Sequence, residues 1–204
     1  NTEYGIRNTS SGFTLVEMIV AVGLFAVVML VSVGALLSLT AANRKAQALQ
    51  SVMNNLNVAL DGMVRSIRMG SDYHGAGGDA SCGGRSDYTE PADCPNGGTV
   101  FAFKPFHTGT SSVPPVVYRF DTDGSFCGKN RICKSATGDS SYFAITSPEI
   151  LIESLKFYVV GTTRGDTTQP KTVITVRGTA GATNAKTSTT FSIQATAVQR
   201  LLDL

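Results

Sequence analysis

GFTLVEMIVAVGLFAVVMLVSVGALLSLTAAN, residues 12–43, is the stretch that decides the fold of this 204-residue chain. No charged residue lies between Met18 and Asn43. About 20 apolar residues, each rising about 1.5 Å along a helix, cross the roughly 30 Å hydrocarbon layer of a bilayer. Glu17, the single acid of the stretch, lies at its edge, where removing a carboxylate from water is costly. The sequence therefore predicts a membrane-spanning helix over 13–43, and it indicates that Glu17 has a function that offsets this cost.

The apolar pattern continues beyond Asn43 as one face of a helix. Apolar side chains recur with the spacing i, i+3, i+4, i+7 and alternate with polar ones. They are Leu49, Val52, Met53, Leu56, Leu60, Met63, Val64 and Ile67. Gly70 follows as a candidate C-cap. We therefore predict one helix from about residue 14 to residue 69. It is apolar all round in its first half and amphipathic over 44–70, where its stripe packs against a domain.

From residue 99 the pattern is typical of β-strands. Six stretches alternate or are rich in β-branched and aromatic residues, namely 99–103, 116–120, 142–145, 155–160, 172–176 and 190–195. Segments rich in Pro, Gly and Asp separate them, and none has a helical pattern. This favours an antiparallel β domain over 99–204. The predicted fold class is α+β, with a long N-terminal helix packed on a C-terminal antiparallel sheet.

Four cysteines form two local groups. Cys82 and Cys94 lie in a stretch rich in Gly, Asp and Ser over 71–98, which we interpret as a connecting loop, and Cys127 and Cys133 lie in the β domain. Four cysteines allow three pairings. Proximity along the chain favours Cys82–Cys94 and Cys127–Cys133. Zinc is the alternative, but zinc sites usually contain Cys-x-x-Cys pairs, and neither spacing fits.

Motifs for catalysis are missing from the sequence. It contains no phosphate-binding loop, no G-x-G-x-x-G opening a helix, no H-E-x-x-H and no G-x-S-x-G, so we predict that the protein is not an enzyme. His74 and His107 are expected to be solvated loop residues. Asp121 and Asp123 lie in a D-T-D-G run that resembles the start of a calcium loop, but the Glu that completes an EF-hand is missing. A plain turn is favoured over a weak calcium site, and no other cofactor is predicted.

The charge balance does not indicate a nucleic-acid partner. The formal net charge is +2, which is too small to predict such binding. Lys129, Arg131 and Lys134 form a small basic cluster beside Cys133. The alternative function that stays open is a membrane-anchored extracytoplasmic module for binding, adhesion or DNA uptake.

The residues Gly12, Phe13 and Glu17, followed by the apolar helix, resemble the processing signal of type IV pilins and type II secretion pseudopilins. The resemblance implies that 1–12 is a leader and that a prepilin peptidase cuts after Gly12. It further implies that Phe13 becomes the N-methylated N-terminus and that Glu17 is needed for assembly. The leader departs from the pattern in one respect: such leaders commonly carry Lys or Arg close to the glycine, and this one has only Arg7.

The resemblance also carries expectations about architecture and partners. It implies the pilin fold, a structural role in a filament, and an inner-membrane anchor with a cytoplasmic N-terminus and an extracytoplasmic C-terminal domain. The implied partners are the prepilin peptidase, other pilin or pseudopilin subunits and an inner-membrane assembly platform. Many major type IV pilins have a proline at the position that matches Gly34. Its absence here favours a minor pilin or a pseudopilin.

Overall fold

The computed structural model describes residues 12–77, 82, 88, 90–106, 113–138, 140–180 and 188–200. The predicted leader therefore lies outside the described residues, except for Gly12. The contacts within the chain define two compact units, Asn1–Arg44 and Lys45–Leu204. The helix α1, Leu15–Arg68, contributes residues to both units. The predicted helix from about residue 14 to residue 69 is confirmed.

The part of α1 in the first unit is apolar and uncovered. Every side chain from Phe13 to Arg44 is exposed, and Phe13 reaches 78% exposure. By length and composition, α1 is the one helix among the described residues that could cross a bilayer. A surface of this kind needs lipid or other protein chains around it, because water does not solvate apolar side chains favourably.

The part of α1 in the second unit is half-buried, as its periodicity predicts. The predicted stripe is confirmed. Its buried members are Val52, Leu56, Leu60, Met63 and Ile67, and its half-buried members are Leu49, Met53 and Val64. The last carbonyl groups of the helix have partners from outside it. The Tyr73 hydroxyl donates to the Ile67 carbonyl at 2.8 Å, and the Arg200 N–H donates to the Arg68 carbonyl at 3.0 Å.

Gly70 follows the end of the helix, as predicted, but it is not the C-cap that the sequence predicts. Its N–H donates to the Ile67 carbonyl at 2.9 Å, which closes the last turn. Its φ is not positive, so it is not a left-handed cap. A Cβ at this position would lie 2.1 Å from the Phe103 ring. Glycine is needed here because the chain passes directly over an aromatic side chain.

In the described part of the chain, nine strands follow α1. They are β1 (Ser71–Ala76), β2 (Cys94–Gly98), β3 (Val100–Lys104), β4 (Val116–Asp121), β5 (Arg131–Ser135), β6 (Phe143–Ala144), β7 (Ile150–Val160), β8 (Lys171–Ala180) and β9 (Thr189–Val198). They form two sheets in the orders β1-β3-β4-β5-β6 and β2-β7-β8-β9, which we call the first and second sheets. Every strand pair is antiparallel. The α+β class with antiparallel pairing is therefore confirmed.

Two details of the predicted β domain are wrong. The strands make two sheets rather than one, and β1 and β2 lie inside the 71–98 stretch that was predicted to be a loop. Their sequences, SDYHGA and CPNGG, have little intrinsic preference for a strand. Pairing with β3 and β7 imposes the extended form, so tertiary contacts override local propensity here. The strand β5 was also not predicted.

The main core lies between the helix stripe and the inner faces of both sheets. Its largest fully buried side chains are aromatic: Tyr73, Phe101, Phe103, Tyr118 and Phe157. Phe101 contacts Tyr73 edge-to-face at 5.3 Å and stacks on Phe157 at 5.4 Å between ring centres. Phe101 lies on the first sheet and Phe157 on the second, so this contact joins the two sheets beneath the helix.

We expect the helix stripe to be essential for the stability of the second unit. Leu56→Ala should lower the free energy of unfolding by about 2.5–5 kcal/mol, because it empties a fully buried position. The matched control is Val58→Ala, whose side chain is 74% exposed and should change stability by less than about 0.5 kcal/mol. Denaturant titration of the full chain in detergent micelles measures both. Equal effects of the two substitutions would contradict this packing.

Candidate functional site

The predicted cleavage point lies immediately before the helix. Gly12 and Phe13 are exposed and lie outside the helix, which begins at Leu15. A peptidase must draw an extended segment into its active site, and backbone already committed to helical hydrogen bonds resists this. The described chain therefore offers the Gly12–Phe13 bond in an accessible, non-helical position.

Thr14 caps the helix, a role that the sequence analysis missed. Its hydroxyl oxygen accepts the Glu17 N–H at 3.3 Å, and its carbonyl accepts the Met18 N–H at 3.2 Å. Thr14 and Glu17 have the spacing T-x-x-E of a capping box, which is the signal that would have identified the cap. Glu17 consequently lies in the first turn of α1, where the positive end of the helix dipole favours a negative charge.

The two predicted disulfides are confirmed. Cys82 bonds to Cys94 on β2, and Cys127 bonds to Cys133 on β5. All four cysteines lie in the described part of the chain, and none of them is free. The alternative of a zinc site made of these cysteines is therefore wrong, because cysteine binds zinc as a thiolate and these sulfurs are in disulfides.

The loop closed by Cys127–Cys133 is built around one buried carboxylate. Asp121, the last residue of β4, is 1% exposed. Five backbone N–H groups donate to its two oxygens at 2.8–3.1 Å, from Gly124, Ser125, Phe126, Cys127 and Gly128. Burial raises the pKa of the Asp121 carboxyl, but the N–H donors of Cys127, Phe126, Gly124 and Gly128 outweigh it and hold the pKa well below 3.8. The ionised side chain thus organises the loop.

This arrangement bears on the weak calcium site that the sequence analysis gave as the alternative to a plain turn. The Asp121 oxygens already accept five N–H groups, and Oδ1 of Asp123 accepts the Ser125 N–H at 3.0 Å. Asp121 also lies close to the sulfurs of Cys127 and Cys133, but disulfide sulfurs are not thiolate ligands. A calcium ion would have to displace amide groups whose positive ends point at the carboxylate. The plain turn stays the prediction, and a weak calcium site at Asp121 and Asp123 stays the untested alternative, which this geometry does not favour.

Arg119 connects the two disulfide-bonded segments. Its guanidinium carbon lies 4.2 Å from the centre of the Phe126 ring, next to Cys127. Nη2 of Arg119 donates to the Tyr88 hydroxyl at 3.1 Å, and Nε donates to the Tyr142 hydroxyl at 3.4 Å. Tyr88 lies between Cys82 and Cys94 in sequence. Residues so far apart along the chain carry no local motif, so sequence reasoning could not have found this cluster.

The predicted basic cluster is not one surface. Arg131 and Lys134 are three residues apart on β5, and a strand turns such side chains to opposite faces. Nζ of Lys134 lies 5.6 Å from the ring of Tyr118, whose side chain belongs to the main core. Arg131 instead packs beside Gly128 in the Asp121 loop. This separation does not favour the alternative of a DNA-uptake module.

His74 is not the solvated loop residue that was predicted. It lies on β1 with 1% exposure, and its Nδ1 is 2.6 Å from the Glu90 carbonyl oxygen. Its ring contacts Tyr88 edge-to-face. This is the environment of a structural histidine. His107 lies outside the described residues.

Comparison with known families identifies the N-terminal segment. Residues 7–33 match the family model described as the prokaryotic N-terminal methylation motif, which is the type IV pilin and pseudopilin signal. Searches of curated proteins and of solved structures find no match to the chain. Gly12, Phe13 and Glu17 lie within the matched residues, and their individual roles stay predictions. The motif is typical of a structural protein that a prepilin peptidase processes and that assembles with other pilins.

We expect Asp121→Asn to lower the free energy of unfolding by about 1.5–3 kcal/mol, because an amide offers one acceptor oxygen to five N–H donors. The matched control is Asp123→Asn, since the exposed Asp123 accepts a single N–H. Its effect should be less than about 1 kcal/mol. Denaturant titration of both variants measures the difference.

The stabilisation that ionised Asp121 gives to the folded protein should be lost as the pH falls. The pKa of the Asp121 carboxyl is lower in the folded protein than in the unfolded chain. The stabilisation is therefore complete at pH values above the pKa of the unfolded chain, and it disappears as the pH falls through the pKa of the folded protein. The stability gap between the wild type and Asp121→Asn should be constant between about pH 7 and 5 and should shrink below about pH 4. A gap that widens on acidification would contradict the assignment.

Proposed function

We propose that the protein is a structural subunit, a minor pilin or pseudopilin, of a type IV pilus or a type II secretion filament. A prepilin peptidase cuts it after Gly12, and Phe13 becomes the N-methylated terminus. One observation supports this above all: the methylation motif at residues 7–33 runs into a helix whose apolar side chains are exposed from Phe13 onward. Such a helix suits storage in a bilayer and later packing against the same helix of other subunits.

The assembly step follows from the charges that processing creates. Cleavage leaves a cationic amine on Phe13, one helical turn before the carboxylate of Glu17. When helices of neighbouring subunits are staggered, the amine of one subunit can meet Glu17 of the next. At an effective dielectric constant of about 20, unit charges about 4 Å apart attract each other by about 4 kcal/mol. An unpaired charge among apolar side chains is unfavourable, so this pairing selects one register of the filament.

The proposed location follows from the same features. The protein is a single-pass inner-membrane protein before assembly, with an extracytoplasmic C-terminal domain and a later place in a cell-surface or periplasmic filament. The disulfides Cys82–Cys94 and Cys127–Cys133 support this orientation, because disulfides persist in oxidising compartments outside the cytoplasm. An inner-membrane assembly platform is a partner at this step, and an assembly motor extracts the helix from the bilayer.

The role of the Glu17 charge can be tested separately from the role of this residue in the helix cap. Glu17→Gln keeps the length of the side chain and a hydrogen-bond acceptor but removes the charge. We expect the variant to be cleaved, to remain in the membrane and to be lost from sheared filaments, with Glu17→Ala behaving in the same way. Quantitative immunoblotting of the membrane and filament fractions measures this.

The matched control is Glu153→Gln, which removes an exposed carboxylate from β7 and should leave incorporation unchanged. Filament incorporation of Glu17→Gln at the wild-type level would refute the charge-pairing mechanism.

A further inference from the structure

Strand β9 is a long, regular sheet edge. It is the last strand of the second sheet and pairs with β8 at all ten of its residues, without a bulge. Among the described residues, no strand pairs with the opposite side of β9. In an antiparallel strand, alternate residues direct their N–H and C=O groups to opposite sides. About half of the β9 backbone groups therefore point away from β8 and lack a strand partner in the described part of the chain.

The usual protection of a sheet edge is missing from β9. Proteins protect edges with short strands, charged side chains, prolines or bulges. One edge of the first sheet follows this rule, because the strand at that edge, β6, has only two residues. The sequence of β9, TTFSIQATAV, contains no charged residue and no proline. An edge without these features is a template for another strand.

The apolar layer beneath β9 is also incomplete. Phe191, Ile193, Ala195 and Ala197 alternate along the strand and so share one face. Phe191 and Ala197 are buried, but Ile193 and Ala195 between them are only half-buried, although they pack against the main core. A further strand beside β9 would cover these two side chains. The outward backbone groups and the half-buried side chains of β9 would thus both be satisfied by an added strand.

We propose that β9 is a strand-addition site, at which an extended segment of a partner protein becomes the fifth strand of the second sheet. The segment pairs antiparallel, like every other strand of this sheet. It carries apolar residues at alternate positions, which cover Ile193 and Ala195. On its other face it carries small polar residues beside Ser192, Gln194 and Thr196. Main-chain hydrogen bonds supply the affinity, and the alternation of side chains supplies the selectivity.

This proposal does not depend on the N-terminal signal, so its test is separate from that of filament assembly. The probe is a fluorescent synthetic peptide with the sequence KTVITVRGTA, that of β8, which β9 already accepts as an antiparallel neighbour. A control peptide carries Ile174→Pro and Val176→Pro, which remove two N–H donors. Fluorescence anisotropy measures binding to the full chain in detergent micelles.

Two neighbouring substitutions give a matched pair. In Ala195→Lys the long side chain can reach past the open edge of β9, so that its ammonium group stays in solvent in the free protein. An added strand would close that route and bury the charge. In Thr196→Lys the charge lies on the exposed opposite face and stays in solvent. We expect saturable binding by the wild type and by Thr196→Lys, and binding at least about tenfold weaker by Ala195→Lys. The proline peptide should not bind.

Hydrogen exchange on the wild type keeps the proposal testable if Ala195→Lys fails to fold. The peptide should slow exchange of β9 amides, because outward N–H groups gain partners. The proposal is overturned by equal binding of the two lysine variants, by binding of the proline peptide or by unchanged β9 exchange. It is also overturned if two copies of the chain pair through β9 and exclude the peptide.

Discussion

The constraint on which the rest depends is that the first part of α1 cannot stay in water. Eighteen large apolar side chains between Phe13 and Leu39 are exposed. Burial of such a side chain is worth about 1.5–3 kcal/mol, so together they represent tens of kcal/mol. The net stability of a domain is only about 5–15 kcal/mol. The helix must therefore be covered by lipid or by other protein chains, and the filament subunit that we propose would exchange the first cover for the second.

The second unit stabilises itself by separate means. The stripe of α1 closes a core between two sheets, and Phe101 and Phe157 join those sheets through an aromatic stack. Disulfides and the buried Asp121 hold segments whose own sequences have little preference for regular structure. On the surface of this unit, the edge strand β9 is an outer strand whose outward backbone groups lack a strand partner in the described part of the chain.

The helix could be predicted from sequence because its periodicity extends over many turns, and the disulfides because each pair is close along the chain. The strands β1 and β2 could not, because pairing with distant strands forces glycine-rich sequence into extended form. For the same reason His74 was placed in a loop, although it is buried on β1. At the site, Gly12, Phe13 and Glu17 were visible as a motif. The loop around Asp121 was not, because its five N–H donors are backbone groups with no sequence code.

The most direct test of the central claim is the mature N-terminus, determined by mass spectrometry after co-expression with a prepilin peptidase. We predict a chain that begins at Phe13, carries one N-methyl group and retains the apolar helix. A chain that keeps the residues before Phe13, or one that is cut after the apolar segment, would contradict it. The helix would then be a simple anchor or a removed signal, and the proposed assembly through Glu17 would fail.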